Sequence, residues 1–254
     1  MMKTRASAAE KRAGFKAATR SPRARRSPAG SKPAASVLPF APAPRQTLQD
    51  HVYKAIKELI LTGDISPGQS ITINSLASAF AVSHMPVREA LHRLVAERAL
   101  TVISGRSVGL PPLSIARLED LKRIRLEMEG LATSWACSRL SDRDLDRLDE
   151  LVQSMARADR NSDVKAFLHG NRDFHFGIYR SAGSQTLLSI IESLWVQISP
   201  YFNLLHASGN YARANREHKN LAAALKRRDA RSARAAIVAD INGAAAVLRE
   251  ILSA

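Results

Sequence analysis

Ala81-Val82-Ser83-His84-Met85-Pro86-Val87-Arg88-Glu89-Ala90-Leu91-His92-Arg93-Leu94 is the segment on which the fold turns. Val87, Ala90, Leu91, Leu94 and Val95 recur at i, i+3, i+4, i+7 and i+8, which makes one apolar stripe of a helix. His84, Arg88 and His92 fall one turn apart on a different face and are left free to reach outward. Ser83 stands at the N-cap position, where its hydroxyl would accept from the Met85 amide, since Pro86 has none. Proline is harmless in this first turn because its missing N–H would have been unpaired anyway. A short helix with an apolar back and a basic front fits a DNA major groove. Periodicity alone fits a helix with a solvated charged face equally well.

The wording of the segment decides between the two. It resembles the recognition helix of the GntR family of bacterial transcriptional regulators, whose usual form is G-V-S-R-T-P-V-R-E-A-L-x-x-L. The match covers Val82-Ser83, Pro86-Val87-Arg88-Glu89-Ala90-Leu91 and Leu94. Upstream, Leu61-Thr62-Gly63-Asp64-Ile65-Ser66-Pro67-Gly68 is similar to that family's S-G-x-x-x-P-G segment.

Around this segment, residues 46–112 read as a winged helix-turn-helix. Val52, Ala55, Ile56, Leu59 and Ile60 form a first helical stripe that Gly63 ends. Pro67-Gly68 marks a tight turn, and a second helix runs from about Asn74 to Phe80. Leu100–Ile103 and Ser107–Leu110 flank Ser104-Gly105-Arg106 and read as a hairpin. The resemblance implies that Arg88 contacts guanine or phosphate, and that Ser83, Gly105 and Arg106 touch the DNA backbone or minor groove. His84 replaces the family's usual Arg, so the guanidinium fork is lost and a changed operator preference is expected. Met85 in place of Thr removes a hydroxyl contact to phosphate.

Pro111-Pro112 makes a stiff boundary, beyond which residues 113–254 read as helices only. The expected spans are about 115–139, 142–159, 163–182, 186–206, 211–227 and 230–252, an antiparallel all-α bundle. The fold class is therefore mainly α. Polar residues sit where the period demands apolar ones. Asn171 and His175 lie inside the Phe167, Phe174, Ile178 stripe, His218 heads the Leu221, Ala222, Leu225 stripe, and Asp240 stands beside Ile237 and Ile241. Such groups need partners when buried, and an ion or ligand among them would supply one.

This half resembles the FCD effector domain of the FadR subgroup, carried by Asn171-Arg172-Asp173-Phe174-His175, Glu217-His218 and the terminal helix. The resemblance implies a divalent metal (Zn, Mn or Ni) held by Asn171, His175 and His218, with Asp240 where the family has a third His. The metal-free alternative has Asp240 accepting a hydrogen bond from His175 or His218. Arg125 and Glu129, at i and i+4, form either a helix-surface ion pair or the family's R-x-x-x-E pattern. In the second case Arg125 faces the cavity and binds the carboxylate of a small organic-acid effector. Tyr201, Asn203 and His206 could line the same wall.

Composition bounds the rest. Of the net charge of +15, residues 1–45 carry +10, with eleven Lys and Arg against Glu10 alone. This Ala/Ser/Pro-rich tail is expected to be disordered and to add salt-sensitive phosphate attraction, unless translation starts downstream of residues 1–40. One cysteine, Cys137, excludes an internal disulfide and fits a reducing cytoplasm. No apolar run is long enough to span a membrane. The sequence thus points to a homodimeric, effector-responsive regulator, more often a repressor in this family, that binds a double-stranded operator. The alternatives are a nucleoid-type DNA-binding protein and a metal-dependent hydrolase. The second lacks H-E-x-x-H, a nucleophile elbow or a phosphate-binding Gly loop.

Overall fold

The computed structural model describes residues 48–105, 107–206 and 208–254, all within one unit spanning 44–254. The expectations for the basic tail and for Arg106 lie outside the described residues.

The N-terminal lobe forms as the periodicity predicts. Helix α1 (Leu48–Leu61) buries Val52, Ile56 and Ile60 completely, and Gly63, at φ +72°, turns the chain away from its end. After the Pro67-Gly68 turn come strand β1 (Ile71–Thr72), α2 (Ile73–Ala79) and α3 (His84–Ala96). Val87, Ala90, Leu91 and Leu94 of α3 are buried against α1. Ser83 is the N-cap residue of α3, but its side chain accepts no capping bond. Strands β2 (Thr101–Ser104) and β3 (Ser107–Gly109) make the wing. The sequence reading missed β1, which pairs antiparallel with β3 (Ile71 opposite Val108) and gives the order β1-β3-β2.

The C-terminal lobe is a helical bundle: α4 (Ile115–Ala136), α5 (Asp142–Arg160), α6 (Val164–Ser181), α7 (Gln185–Ile198), α8 (Asn210–Lys226) and α9 (Ala230–Ser253). Polar side chains start most of these helices. Ser114, Ser141, Asp163, Ser184 and Asp229 each accept from a backbone amide of the first turn. Helix α9 packs on α4 and α8, and α5 packs on α6 and α8. Cys137 is buried and unpaired. The span expected as one helix, 186–206, instead breaks after Ile198 into a 3-10 segment, Ser199–Leu205. Pro200 supplies the reason, because it has no N–H to continue the α-helical ladder.

The lobes touch through α1, α7 and the 3-10 segment. Lys57 pairs with Glu192 at 2.8 Å, Arg172 with Glu58 at 2.7 Å and Lys165 with Asp64 at 2.6 Å. Asn203 Nδ2 donates to the Gly63 carbonyl at 2.8 Å, and the Tyr201 hydroxyl donates to the Pro111 carbonyl.

Candidate nucleic-acid interface and effector cavity

Helix α3 divides its cations by face. Arg93 is occupied structurally: it stacks 3.7 Å over the Tyr53 ring and bonds Glu97 at 3.1 Å, while the Tyr53 hydroxyl also donates to Glu97. Burial, then the Glu97 carboxylate, raises the Tyr53 hydroxyl's pKa, so it stays a donor. Arg88, one turn earlier on the outward face, is exposed and has no ion pair among the described residues. It lines a cleft of about 540 Å³ with Thr72, Ile73, Asn74, His84, His92 and Gly105. The fold therefore brings His84, Arg88 and Gly105 together. It leaves Ser83 exposed at the start of α3, outside the lining of that cleft. His92 joins His84, Arg88 and Gly105 from the outward row that the sequence marked, whereas Thr72 and Asn74 were not singled out by the sequence reading. Thr72 and Asn74 come from the start of α2, and only the β1–β3 pairing sets that start beside the wing.

The second site lies inside the bundle. Asn171, His175 and His218 are buried, and the Asp240 side chain is 11 % exposed. His175 Nε2 and His218 Nε2 are 3.2 Å apart. They lie 3.5 and 3.6 Å from the two Asp240 oxygens, beyond ordinary hydrogen-bond reach. Without a metal the two imidazoles hydrogen-bond each other through Nε2, with Asp240 beyond hydrogen-bond reach of either. A tetrahedral ion with bonds of about 2.0–2.1 Å sets its ligand atoms about 3.3–3.4 Å apart, so this donor set fits one. Asn171 lines the same cavity.

A proton relay orients the first imidazole. The Tyr179 hydroxyl donates to Glu129, so its oxygen is left to accept from His175 Nδ1 at 3.2 Å. The proton on Nδ1 leaves the Nε2 lone pair facing His218 and Asp240, the arrangement that outer-shell partners impose on metal-binding histidines. Burial raises the Tyr179 hydroxyl's pKa well above its usual value, and Glu129 adds to the effect. Burial lowers the pKa of His175 well below the ordinary histidine value, with His218 and Arg125 adding to it, and burial alone takes His218 to about 3. Burial raises Asp240 to about 7 against the pull of Arg125. Tyr179 was missed in the sequence, although it stands at i+4 from His175 on the same stripe.

Arg125 lines this cavity, but its guanidinium is already engaged. Nε donates to Glu129 Oε1 at 2.6 Å and Nη2 to Oε2 at 3.4 Å. The two side chains are 6 % and 0 % exposed, so this is a buried pair and not a helix-surface one. Burial opposes the Arg125 charge, yet Glu129 more than offsets it and holds the guanidinium's pKa above its usual value. Phe167, Trp195, Phe202 and Tyr211 supply aromatic walls, with Phe167 and Tyr211 stacked at 4.0 Å. Tyr201 and Asn203 face the N-terminal lobe instead, while His206 packs against Tyr211. The enclosed space is about 30 Å³.

A winged reading head of this shape joined to an all-helical C-terminal lobe is the arrangement of a DNA-binding transcriptional regulator. Residues 48–110 match the family described as bacterial regulatory proteins, gntR family, and residues 120–243 match the FCD domain. The HTH-type transcriptional regulator McbR of Escherichia coli is 33 % identical over 186 residues, 72 % of this chain and 83 % of McbR. The solved E. coli McbR/YncC structure covers 81 % of this chain and 98 % of its own, at 30 % identity and a TM-score of 0.74. The HTH-type transcriptional repressor GlaR of E. coli is 29 % identical over 147 residues, 56 % of this chain and 67 % of GlaR. The chain belongs to the GntR family, in the FadR-type arrangement with an FCD domain. No helix among the described residues is long and apolar enough to cross a membrane.

Proposed function

We propose that this chain is a cytoplasmic, homodimeric repressor whose hold on its operator is released by a small organic acid bound in the C-terminal lobe. The boundaries are those of the sequence: a basic tail (1–45), the reading domain (46–112) and the effector and dimerisation domain (113–254). The row His84, Arg88, His92 beside Gly105 carries the reading, because it presents a guanidinium with no ion pair among the described residues in a cleft that Thr72, Asn74 and both histidines also line. Arg88 pairs with guanine, and the exposed Met85 offers an apolar contact of the kind a thymine methyl takes. Ser83 and Arg106 hold phosphate. The repressor sense follows GlaR, which is described as a repressor.

His175, His218 and Asp240, with Asn171 beside them, would hold a divalent metal (Zn, Mn or Ni). When bound it supplies positive charge and open coordination for a carboxylate. Arg125 alone does not recruit the acid, because Glu129 cancels its charge while Asp240 adds a partial negative one. Arg125 orients the acid, and the anion enters with the cation. The dimer forms on α4, where Ile124, Met128, Leu131 and Trp135 recur at i, i+4, i+7 and i+11. Ile124 and Trp135 are 41 % and 43 % exposed there. Dimer geometry then sets the half-site spacing.

The test is binding of the chain from Arg45 onward to the duplex upstream of its own gene and to a scrambled duplex at physiological salt. Arg88→Ala should lose about 1–3 kcal/mol per half-site and abolish the preference between duplexes. Arg93→Ala should lower thermal stability and keep that preference. Equal binding to both duplexes by the parent chain would favour the nucleoid reading and sink this one.

A further inference from the structure

The cavity of about 30 Å³ exceeds the ~10–15 Å³ one water needs but is far below the ~300 Å³ of a small-molecule pocket. A metal ion fits the space, whereas an organic ligand must move a wall. Asp240 and Ile241 come from α9, Asn171 and His175 from α6, and Arg125 from α4, all long helices in the middle of the bundle. The opposite wall is Trp195 near the end of α7, Phe202 and Leu205 of the 3-10 segment, and Asn210, Tyr211 and Ala214 in the first turns of α8. Runs of 3-10 helix beyond three or four residues are uncommon because their hydrogen bonds are poorly aligned, and this one has seven. Helix α8 begins after Gly209 at φ +71° with no side-chain cap. This wall is built from irregular backbone and a helix start, where the others come from the middle of long helices.

The other side of the same segment holds the reading lobe. Residues i and i+3 eclipse in a 3-10 helix, so Phe202 and Leu205 share the cavity face. Between and before them, Tyr201 donates to the Pro111 carbonyl and Asn203 to the Gly63 carbonyl at 2.8 Å. One seven-residue segment thus grips the end of α1 and the exit linker of the winged domain together. The fit at Gly63 is close: a Cβ added there would stand 2.7 Å from Asn203 Nδ2. The flanking ion pairs Lys57–Glu192, Arg172–Glu58 and Lys165–Asp64 each have at least one partner about a quarter exposed or more. Exposed pairs hold geometry weakly and soften with salt.

We propose that Ser199–Leu205 is the coupling element of the protein: a cavity occupant larger than an ion displaces Phe202 and Leu205, and that displacement breaks the Tyr201–Pro111 and Asn203–Gly63 bonds. The winged domain then loses its fixed orientation, and operator affinity falls. This rests on the effector reading but needs no knowledge of the effector.

The experiment fills the cavity covalently. Ala214→Leu (on α8) and Ala244→Leu (on α9) each enlarge a partly exposed residue that lines it, and each is made in the full chain with and without Tyr201→Phe/Asn203→Ala. Thermal melts select the variants that fold, and two positions on different helices guard against the loss of one. Amide hydrogen exchange should rise together at 199–205 and at 59–65. Affinity for the upstream duplex should fall about tenfold in the parent background and less than twofold where the two bonds are already absent. Exchange confined to α8 and α9, or equal weakening in both backgrounds, would overturn the proposal. Failure to find an organic-acid ligand would count against the effector reading and leave this result standing.

Discussion

Binding of Zn²⁺ or Mn²⁺ to the His175, His218, Asp240 centre should release one proton at pH 6 and almost none above pH 8. The count follows from burial. Burial takes His218 to about 3 and holds His175 well below the ordinary histidine value, so both imidazoles are neutral and competent to bind near neutral pH. Asp240, near 7, is the group the ion must deprotonate. At pH 6 only about one site in ten carries the carboxylate, so apparent affinity falls about tenfold per unit below pH 7 and is flat above it. Titration calorimetry at pH 5.5, 6.0, 7.0 and 8.0, in two buffers of different ionisation enthalpy, counts the protons directly. Asp240→Asn should bind more weakly and lose the slope. Release of two protons at pH 6 would mean that a histidine is charged in the free protein, and a slope surviving in Asp240→Asn would place the titrating group elsewhere. Either result refutes the reasoning.

Two further predictions concern the same centre without metal. The histidines, with folded pKa values below their unfolded ones, contribute stability present above about 6.5 and lost as pH falls; Asp240, raised from 3.8 to about 7, contributes in the opposite sense, losing stability as pH rises through 7. Between pH 5 and 6.5 two histidine protons oppose one aspartate proton. The metal-free protein should therefore lose stability on acidification with a slope that steepens to at most about 1.4 kcal/mol per unit as pH approaches 5, and Asp240→Asn should lose it with about twice that limiting slope, measured by urea denaturation. Glu129→Gln keeps the shape of the side chain but strands the Arg125 guanidinium, and should cost about 3–5 kcal/mol by the same measurement. Arg125→Met/Glu129→Leu should recover most of that loss; recovery of none of it would show that the pair is not the origin of the effect.

What could be read in the sequence follows from which interactions are local. The stripes of α1 and α3 repeat at helical spacing, so a linear pattern located Arg88, although nothing in it marked Arg93 or the Tyr53 ring that immobilises it. Buried polar residues at Asn171, His175 and His218 stood out because the period demanded apolar side chains there. Their meeting was expected from the need of buried polar groups for partners and from the family resemblance, but its geometry was not legible, because α6, α8 and α9 that carry these residues and Asp240 are distant in the chain. Strand β1 escaped notice because two residues make no alternation, and only pairing with β3 defines it. Pro200 was a visible break inside a long apolar run, and reading through it placed Tyr201 and Asn203 on the cavity side of a helix that does not exist. The pairing of Arg125 with Glu129 was legible as spacing, but its burial was not, and burial is what turns a helix-surface pair into a charge that cannot lose its partner.

The distribution of polarity around the cavity separates the two guests proposed for it. Its floor is polar and fixed: Asp240 of α9 and Asn171 and His175 of α6 line it, His218 of α8 contacts His175 beside it, and the Tyr179–Glu129–Arg125 chain holds the His175 imidazole in place. Its movable wall is mostly apolar, made by Phe202, Leu205 and Tyr211. A cation is satisfied by the floor alone and gains nothing from opening the wall. Displacing the wall exposes hydrocarbon at about 25 cal/mol per Å², so roughly 100 Å² uncovered costs about 2.5 kcal/mol unless the guest covers it. Only a ligand with an apolar body as well as an acidic head recovers that energy. A bare inorganic anion should bind the metal-loaded floor without loosening Asn203 from Gly63. A metal that neutralises the floor and a ligand that holds the wall open therefore act in sequence, and the second carries the signal because only it bears on the segment that grips α1.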